Sequence, residues 1–244
     1  MRPAPVVKPP LVVKRALVPK TVASTVVDQA TGVGNAGPIG PPWPDRFTAA
    51  DAIVGRVALY RAPGTPVPTG LALPNPTVEG LPLVFLVRRE QAGWLQVQFQ
   101  ARPNGATAWI RRSDVALREV ANHIVIERGT RRLSIYHGDQ VVLQDVAAVG
   151  KASSPTPLGT FYVDGIVKVP NPNGAYGAYQ VSFTGFSDVY HHFGSGIGQV
   201  AMHGTNQPAL LGTPASHGCV RLSNDTVTRV ALLAPTGTPV EVVA

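Results

Sequence analysis

Glycine and proline interrupt this chain too often for long helices. They fill 49 of its 244 positions, 25 as glycine and 24 as proline. Proline removes a backbone donor and fixes φ, while glycine in a regular element costs conformational entropy. Charged residues make up only 14%. Such a composition favours short strands and tight turns, so a mainly β fold is expected. The length allows one large core or two smaller ones. Prolines and charges break every apolar run well short of the ~20 residues that span a bilayer.

Residues 1–46 read as a basic, Pro-rich tether. Nine of the 24 prolines fall there, and Gly-Pro-Ile-Gly-Pro-Pro-Trp-Pro closes the segment at 37–44. This density blocks helix and ladder alike, so little order is expected before about Trp43. Residues 47–118 alternate short apolar runs with turns. Val57–Tyr60, Leu83–Val87, Trp94–Phe99 and Thr107–Ile110 are strand-like, with Pro103-Asn104-Gly105 marking a turn. Residues 119–244 continue as strands at 122–127, 132–136, 140–144, 160–163, 180–183 and 238–243. The clearest helix runs from Asn224 to Leu233, with Ser223 as N-cap and Asp225 in its first turn.

Charge is unevenly placed. Residues 1–46 carry six basic and two acidic groups, net +4, and residues 47–118 carry eight and four, again +4. Residues 119–244 carry seven and eight, net −1. The basic surplus would suit an anionic wall or membrane surface. Nucleic acid is not an expected partner, since no zinc module, helix-turn-helix or aromatic ribonucleoprotein motif is visible. A monomer is the default.

The single cysteine, Cys219, excludes an internal disulfide. It sits in Ser216-His-Gly-Cys-Val-Arg221, a poor string for a core and a good one for chemistry. A thiol needs a base to become the nucleophilic thiolate at neutral pH. Two histidines are available. His217 is two residues away and on a strand would share the cysteine's face. His203 lies sixteen positions upstream, far enough to arrive from a neighbouring strand. Spacing alone does not choose between them. An open zinc site on His203, His217 and Cys219 is the competing chemistry, and it lacks a paired cysteine or convincing fourth ligand. No metal or cofactor is expected.

His203-Gly-Thr-Asn206, a short loop, and Ser216-His-Gly-Cys-Val-Arg221 together resemble the signature of the YkuD-type L,D-transpeptidases. Thr156-Pro-Leu-Gly-Thr-Phe161 and Asn173-Gly-Ala-Tyr-Gly-Ala-Tyr179 are similar to two further family segments, in the family's order. The resemblance covers about residues 121–244. Residues 47–118 more weakly resemble bacterial SH3-like small β-barrels, read as a packing domain that orients the catalytic one.

The resemblance implies a β-sandwich catalytic domain acting on peptidoglycan stem peptides. The cysteine would attack the third residue's carbonyl in a tetrapeptide donor and release terminal D-alanine. A side-chain amine would then capture the thioester, forming a link between third-position residues. Water as acceptor would give an L,D-carboxypeptidase, and a vestigial site would leave a wall-binding protein. By the same analogy Cys219 is the nucleophile, His203 the base, and the Gly204 carbonyl the brace of the His203 ring. Gly218 and Cys219 would offer oxyanion-hole N–H groups. His217 and Ser216 would support the site, Arg221 would pair with a carboxylate or brace the loop, and Asn206, Tyr176 and Tyr179 would line the donor groove. For both tyrosines core packing is an equal alternative. His191 and His192 read as a lid or, more blandly, as solvated loop histidines. The substrate implies export to the wall side of the membrane, although no leader is visible at the basic N-terminus.

Overall fold

The computed structural model describes residues 34–35, 44–65, 71–193 and 196–244. The first strands are β1 (Gly34–Asn35), β2 (Phe47–Ala52), β3 (Arg56–Ala58), β4 (Ala72–Pro74), β5 (Val84–Gln91), β6 (Trp94–Gln98), β7 (Ala106–Arg111) and β8 (Val115–Val120). Then follow β9 (Asn122–Glu127), β10 (Arg132–His137), β11 (Gln140–Val146), β12 (Gly159–Lys168), β13 (Tyr179–Phe186), β14 (Gln199–His203) and β15 (Val220–Arg221). Helix α1 (Asn224–Leu233) and β16 (Pro239–Val243) complete the chain.

Two β units meet at residue 121. The smaller is a sheet in the order β1-β7-β6-β5-β2-β8, with β3 and β4 as a separate pair. It runs to Val120, two residues past the expected boundary, because β8 pairs with β2 along its full length. Most of the expected tether lies outside the described residues. Its Gly34–Asn35 pairs with β7, so at that point the chain is held on a sheet edge.

The larger unit is one sheet ordered β11-β10-β9-β16-β12-β13-β14-β15. It turns at β12. Residues 159–162 of that strand pair with β16, and residues 163–168 pair with β13 across a bulge near Asp164. The two halves close on a single core that includes Ile124, Ile135, Phe161, Phe183, Met202, Val220 and Val230. This is the expected mainly β, sandwich-like arrangement. α1 packs beside β13 and β14, and Ser223 caps it by accepting from the Thr226 N–H at 3.0 Å.

The units dock through Phe47, Ala49, Val84, Leu86, Val120 and Tyr162, all buried. Two buried polar side chains on this seam find partners across it. Tyr162 O–H donates to the Val84 carbonyl at 3.0 Å, and Gln98 Nε2 donates to the Thr160 carbonyl at 2.6 Å. Arg118 bonds Asp51 and also donates to the Thr236 carbonyl at 2.6 Å.

His123 lies at this seam, stacked on Tyr136 at 5.0 Å and edge-on to Phe47 at 5.7 Å. Burial pushes its pKa down to about 4, and Asp139 only partly opposes that. Unfolded, the imidazole titrates near 6.5. The group's contribution to stability is therefore complete above that pH, is lost as pH falls from about 6.5 to about 4, and changes no further below. The loss is at most about 3 kcal/mol. Urea midpoints at pH 7.5 and 4.5 should differ accordingly, and His123→Phe should flatten the difference.

Candidate active site

The site lies on the sheet face opposite the core, where β14 meets β15. These two strands are parallel, with Met202 beside Val220 and His203 beside Arg221. Side chains alternate across a sheet. Val200, Met202, Val220 and Leu222 all enter the core, which places Ala201, His203 and Arg221 on the other face. His203 thus comes from the neighbouring strand, and Cys219 immediately precedes β15, one register step from Arg221.

His203 is buried, and its Nδ1 meets the Gly204 carbonyl at 2.6 Å. A carbonyl only accepts, so Nδ1 carries the proton and Nε2 is left as an acceptor. The ring also rests against Tyr176, centroid to centroid 5.0 Å. Burial lowers the His203 pKa below its ordinary value. The Gly204 bond partly opposes that, and the Arg221 charge adds to it. Burial raises the Cys219 thiol, opposed by the Ala201 backbone and by Arg221. Both shifts favour the uncharged forms, a thiol and a neutral imidazole.

The Gly204 turn is locked from beneath. Gly204 N–H donates to the Tyr179 carbonyl at 3.2 Å. Asn224 Oδ1 accepts from the Ala178 N–H at 3.1 Å, and its Nδ2 donates to the Pro172 carbonyl at 3.1 Å. Gly177 sits in this knot with φ +62°, and a Cβ there would meet Asn224 Oδ1 at 2.1 Å and Gly204 Cα at 2.4 Å. Gly177→Ala combines a left-handed backbone with a clash. It should cost about 2–4 kcal/mol in urea unfolding and displace the His203 brace.

The loop before Cys219 is held by Ser216. Its buried hydroxyl donates to the Cys219 carbonyl at 2.5 Å and accepts from the Gly218 N–H at 3.1 Å. Ser216 thus braces the loop that leads to Cys219. The Gly218 N–H is engaged by this bond within the loop. Gly218 itself has φ +128°, a conformation open to glycine. Ser216 is bonded through its backbone to Val149 and Lys151. Thr156, from the Thr-Pro-Leu-Gly segment, tightens the loop beneath by accepting from the Gly150 N–H at 3.0 Å.

The other expected residues divide. His217 is exposed and not on a strand, so the shared-face argument for it fails. It meets Lys151 Nζ at 3.3 Å and the rings of Phe193 and Tyr190 at 5.8 and 6.1 Å. Arg221 Nη1 donates to Gln207 Oε1 at 3.4 Å, and neighbouring Asn206 is exposed. Tyr176 stays 46% exposed over His203. Tyr179 packs against the core that holds Val181 and Phe183. His191 and His192 are exposed loop residues. Sequence reasoning missed Lys151, Tyr190, Phe193 and Asn224. Gly150-Lys151 ahead of the Thr-Pro-Leu-Gly segment was the available signal for the first.

Two curated relatives, both named YkuD, match the same half of the chain. The Bacillus subtilis (strain 168) protein is 35% identical over 120 residues, 49% of this chain and 65% of its own length. The Bacillus licheniformis protein is 34% identical over 119 residues, 49% of this chain and 64% of its own. The chain thus spans just under two thirds of those relatives. Among solved structures, the catalytic domain of an Enterococcus faecium L,D-transpeptidase is similar at TM-score 0.36 and 23% identity, covering 50% of this chain and 95% of that one. An L,D-transpeptidase from Mycobacterium smegmatis is similar at 0.41 and 16%, covering 66% and 90%. The family model of the YkuD L,D-transpeptidase catalytic domain matches residues 121–242, half of the chain and the whole of the unit that carries His203 and Cys219, and the chain belongs to that family.

Proposed function

We propose that the protein is an exported peptidoglycan L,D-transpeptidase that works by cysteine acyl transfer. The observation that carries this reading is that His203 ends β14 beside its parallel neighbour β15, which Cys219 immediately precedes, with the His203 Nδ1–H tied to the Gly204 carbonyl. That bond aims an unprotonated Nε2 away from the brace, the state a general base needs.

Because burial holds the thiol neutral, Nε2 removes its proton as sulfur attacks the donor carbonyl. The sulfur–carbon bond forms, the peptide C–N bond breaks, and the imidazolium returns the proton to the departing amine of D-alanine. An acceptor amine then attacks the thioester, losing its proton to Nε2, and the thiol is restored. Arg221 favours the thiolate and disfavours the imidazolium. Stem peptides are the partners of this reaction. The basic N-terminal region would hold the enzyme near an anionic wall or membrane surface.

Product analysis with a tetrapeptide donor and an added amine acceptor tests the reading. The expected product is the cross-linked peptide with D-alanine released. Free tripeptide alone would make the protein a carboxypeptidase, and no product would leave a wall-binding module.

A further inference from the structure

The exposed His217 stands in a cluster with a lysine and two aromatic rings. Lys151 Nζ, which only donates, approaches His217 Nε2 at 3.3 Å. His217 Nε2 is therefore an acceptor, and Nδ1–H points elsewhere as a donor. The phenyl ring of Phe193, 53% exposed, and the half-buried Tyr190 ring stand against the imidazole. Among the described residues, no carboxylate pairs with Lys151.

Both walls are fixed. Lys151 N–H donates to the Ser216 carbonyl at 3.0 Å, which ties it to the Cys219 loop. The loop bearing Tyr190 and Phe193 is anchored by the smaller unit. Arg102 donates to the Ser187 carbonyl at 2.9 Å and the Tyr190 carbonyl at 3.3 Å. Asn104 makes two bonds to the Phe186 backbone, at 2.9 and 2.8 Å. The cluster thus offers an ammonium and an imidazole N–H beside aromatic surface. Two donors and a positive charge match a carboxylate, and the aromatic walls reduce the screening of that charge.

Its position relative to the chemistry sets which carboxylate. His203 is in register with Arg221, two residues after Cys219, and His217 lies two residues before it in the chain. The leaving amine must reach His203 to receive its proton, so the leaving end of the donor lies toward His203 and Arg221. The acyl portion then passes His217. We propose that Lys151 and His217, walled by Tyr190 and Phe193, form a subsite for a carboxylate on the acyl side of the donor peptide. This rests on the acyl-transfer reading given above.

Calorimetric titration of the Cys219→Ala protein, first shown to be folded by its thermal melt, tests it without relying on turnover. Three tetrapeptides serve as probes: one with all carboxylates free, one amidated at its C-terminus, and one amidated at its upstream carboxylates. Upstream amidation should weaken binding roughly 10- to 100-fold. Adding Lys151→Met should erase that difference, while Lys151→Arg should keep most of it. Equal affinities for all three peptides, or an equal loss for all three in Lys151→Met, would overturn the subsite. A Lys151-dependent penalty confined to the C-terminal amide would overturn its acyl-side placement. Discrimination by Lys151 with no thioester on the wild-type protein would sink the transpeptidase reading and leave the subsite standing.

Discussion

Cys219→Ala should abolish turnover, by about 10⁴-fold or more, while the protein melts within a few degrees of wild type. The two halves of this expectation come from different parts of the structure. On the proposed mechanism the Cys219 sulfur carries the acyl group, and the sequence holds no second thiol to replace it. Yet the loop around it is held by Ser216 rather than by the thiol. Loss of one small half-buried group costs about 1 kcal/mol. Cys219→Ser is the stricter variant, because it keeps the shape and lacks an ionisable thiol. It too should be inactive. A folded Cys219→Ser protein that retained turnover would remove the cysteine from the mechanism.

His203→Gln should change the shape of the pH profile as well as its height. In wild type the active form is neutral imidazole with thiol. Burial keeps the His203 pKa below 6.5, so activity should fall only as pH drops through a value lower than that of a free histidine. Burial keeps the thiol above its ordinary value of 9.0, so a plateau should extend across the neutral range to about that pH. Without the base, only spontaneous thiolate reacts. The rate of His203→Gln should therefore climb tenfold per pH unit toward the thiol pKa. At pH 7 it should lie about 10²–10⁴-fold below wild type. A flat profile in the variant, or an unchanged rate at pH 7, would mean that another group takes the proton.

Much of this was legible in the sequence where local pattern decides structure. β9 was read at its actual ends, 122 and 127, because Asn-His-Ile-Val-Ile-Glu alternates cleanly between turns. α1 was read with its cap, since Ser223 and Asp225 are local signals. β2 was not, because Phe-Thr-Ala-Ala-Asp-Ala has few β-formers. It is a strand because Ala49 and Ala50 are fully buried between β5 and β8, and a larger side chain would not fit beside Gly237. That constraint is tertiary and leaves no periodicity.

The site divides along the same line. His203, Gly204 and Cys219 stood out because the residues that make the turn and the brace are adjacent in sequence. The shared-face rule for His217 holds only on a strand, and Gly218 at φ +128° breaks it. Tyr176 and Tyr179 looked equivalent as aromatics three residues apart. One precedes β13 and covers His203, while the other begins β13 on the core side. Lys151 and His217 are 66 residues apart and meet only because the loop at 149–151 is bonded to Ser216. No spacing in the sequence announces that contact.

The most direct measurement is intact-protein mass spectrometry of the wild-type chain after brief mixing with a tetrapeptide stem donor, followed by peptide mapping. The account predicts a mass increase equal to the donor minus its terminal D-alanine, located on Cys219 and discharged when an amine acceptor is added. A folded protein that shows no such adduct, or carries it on any other residue, would contradict it.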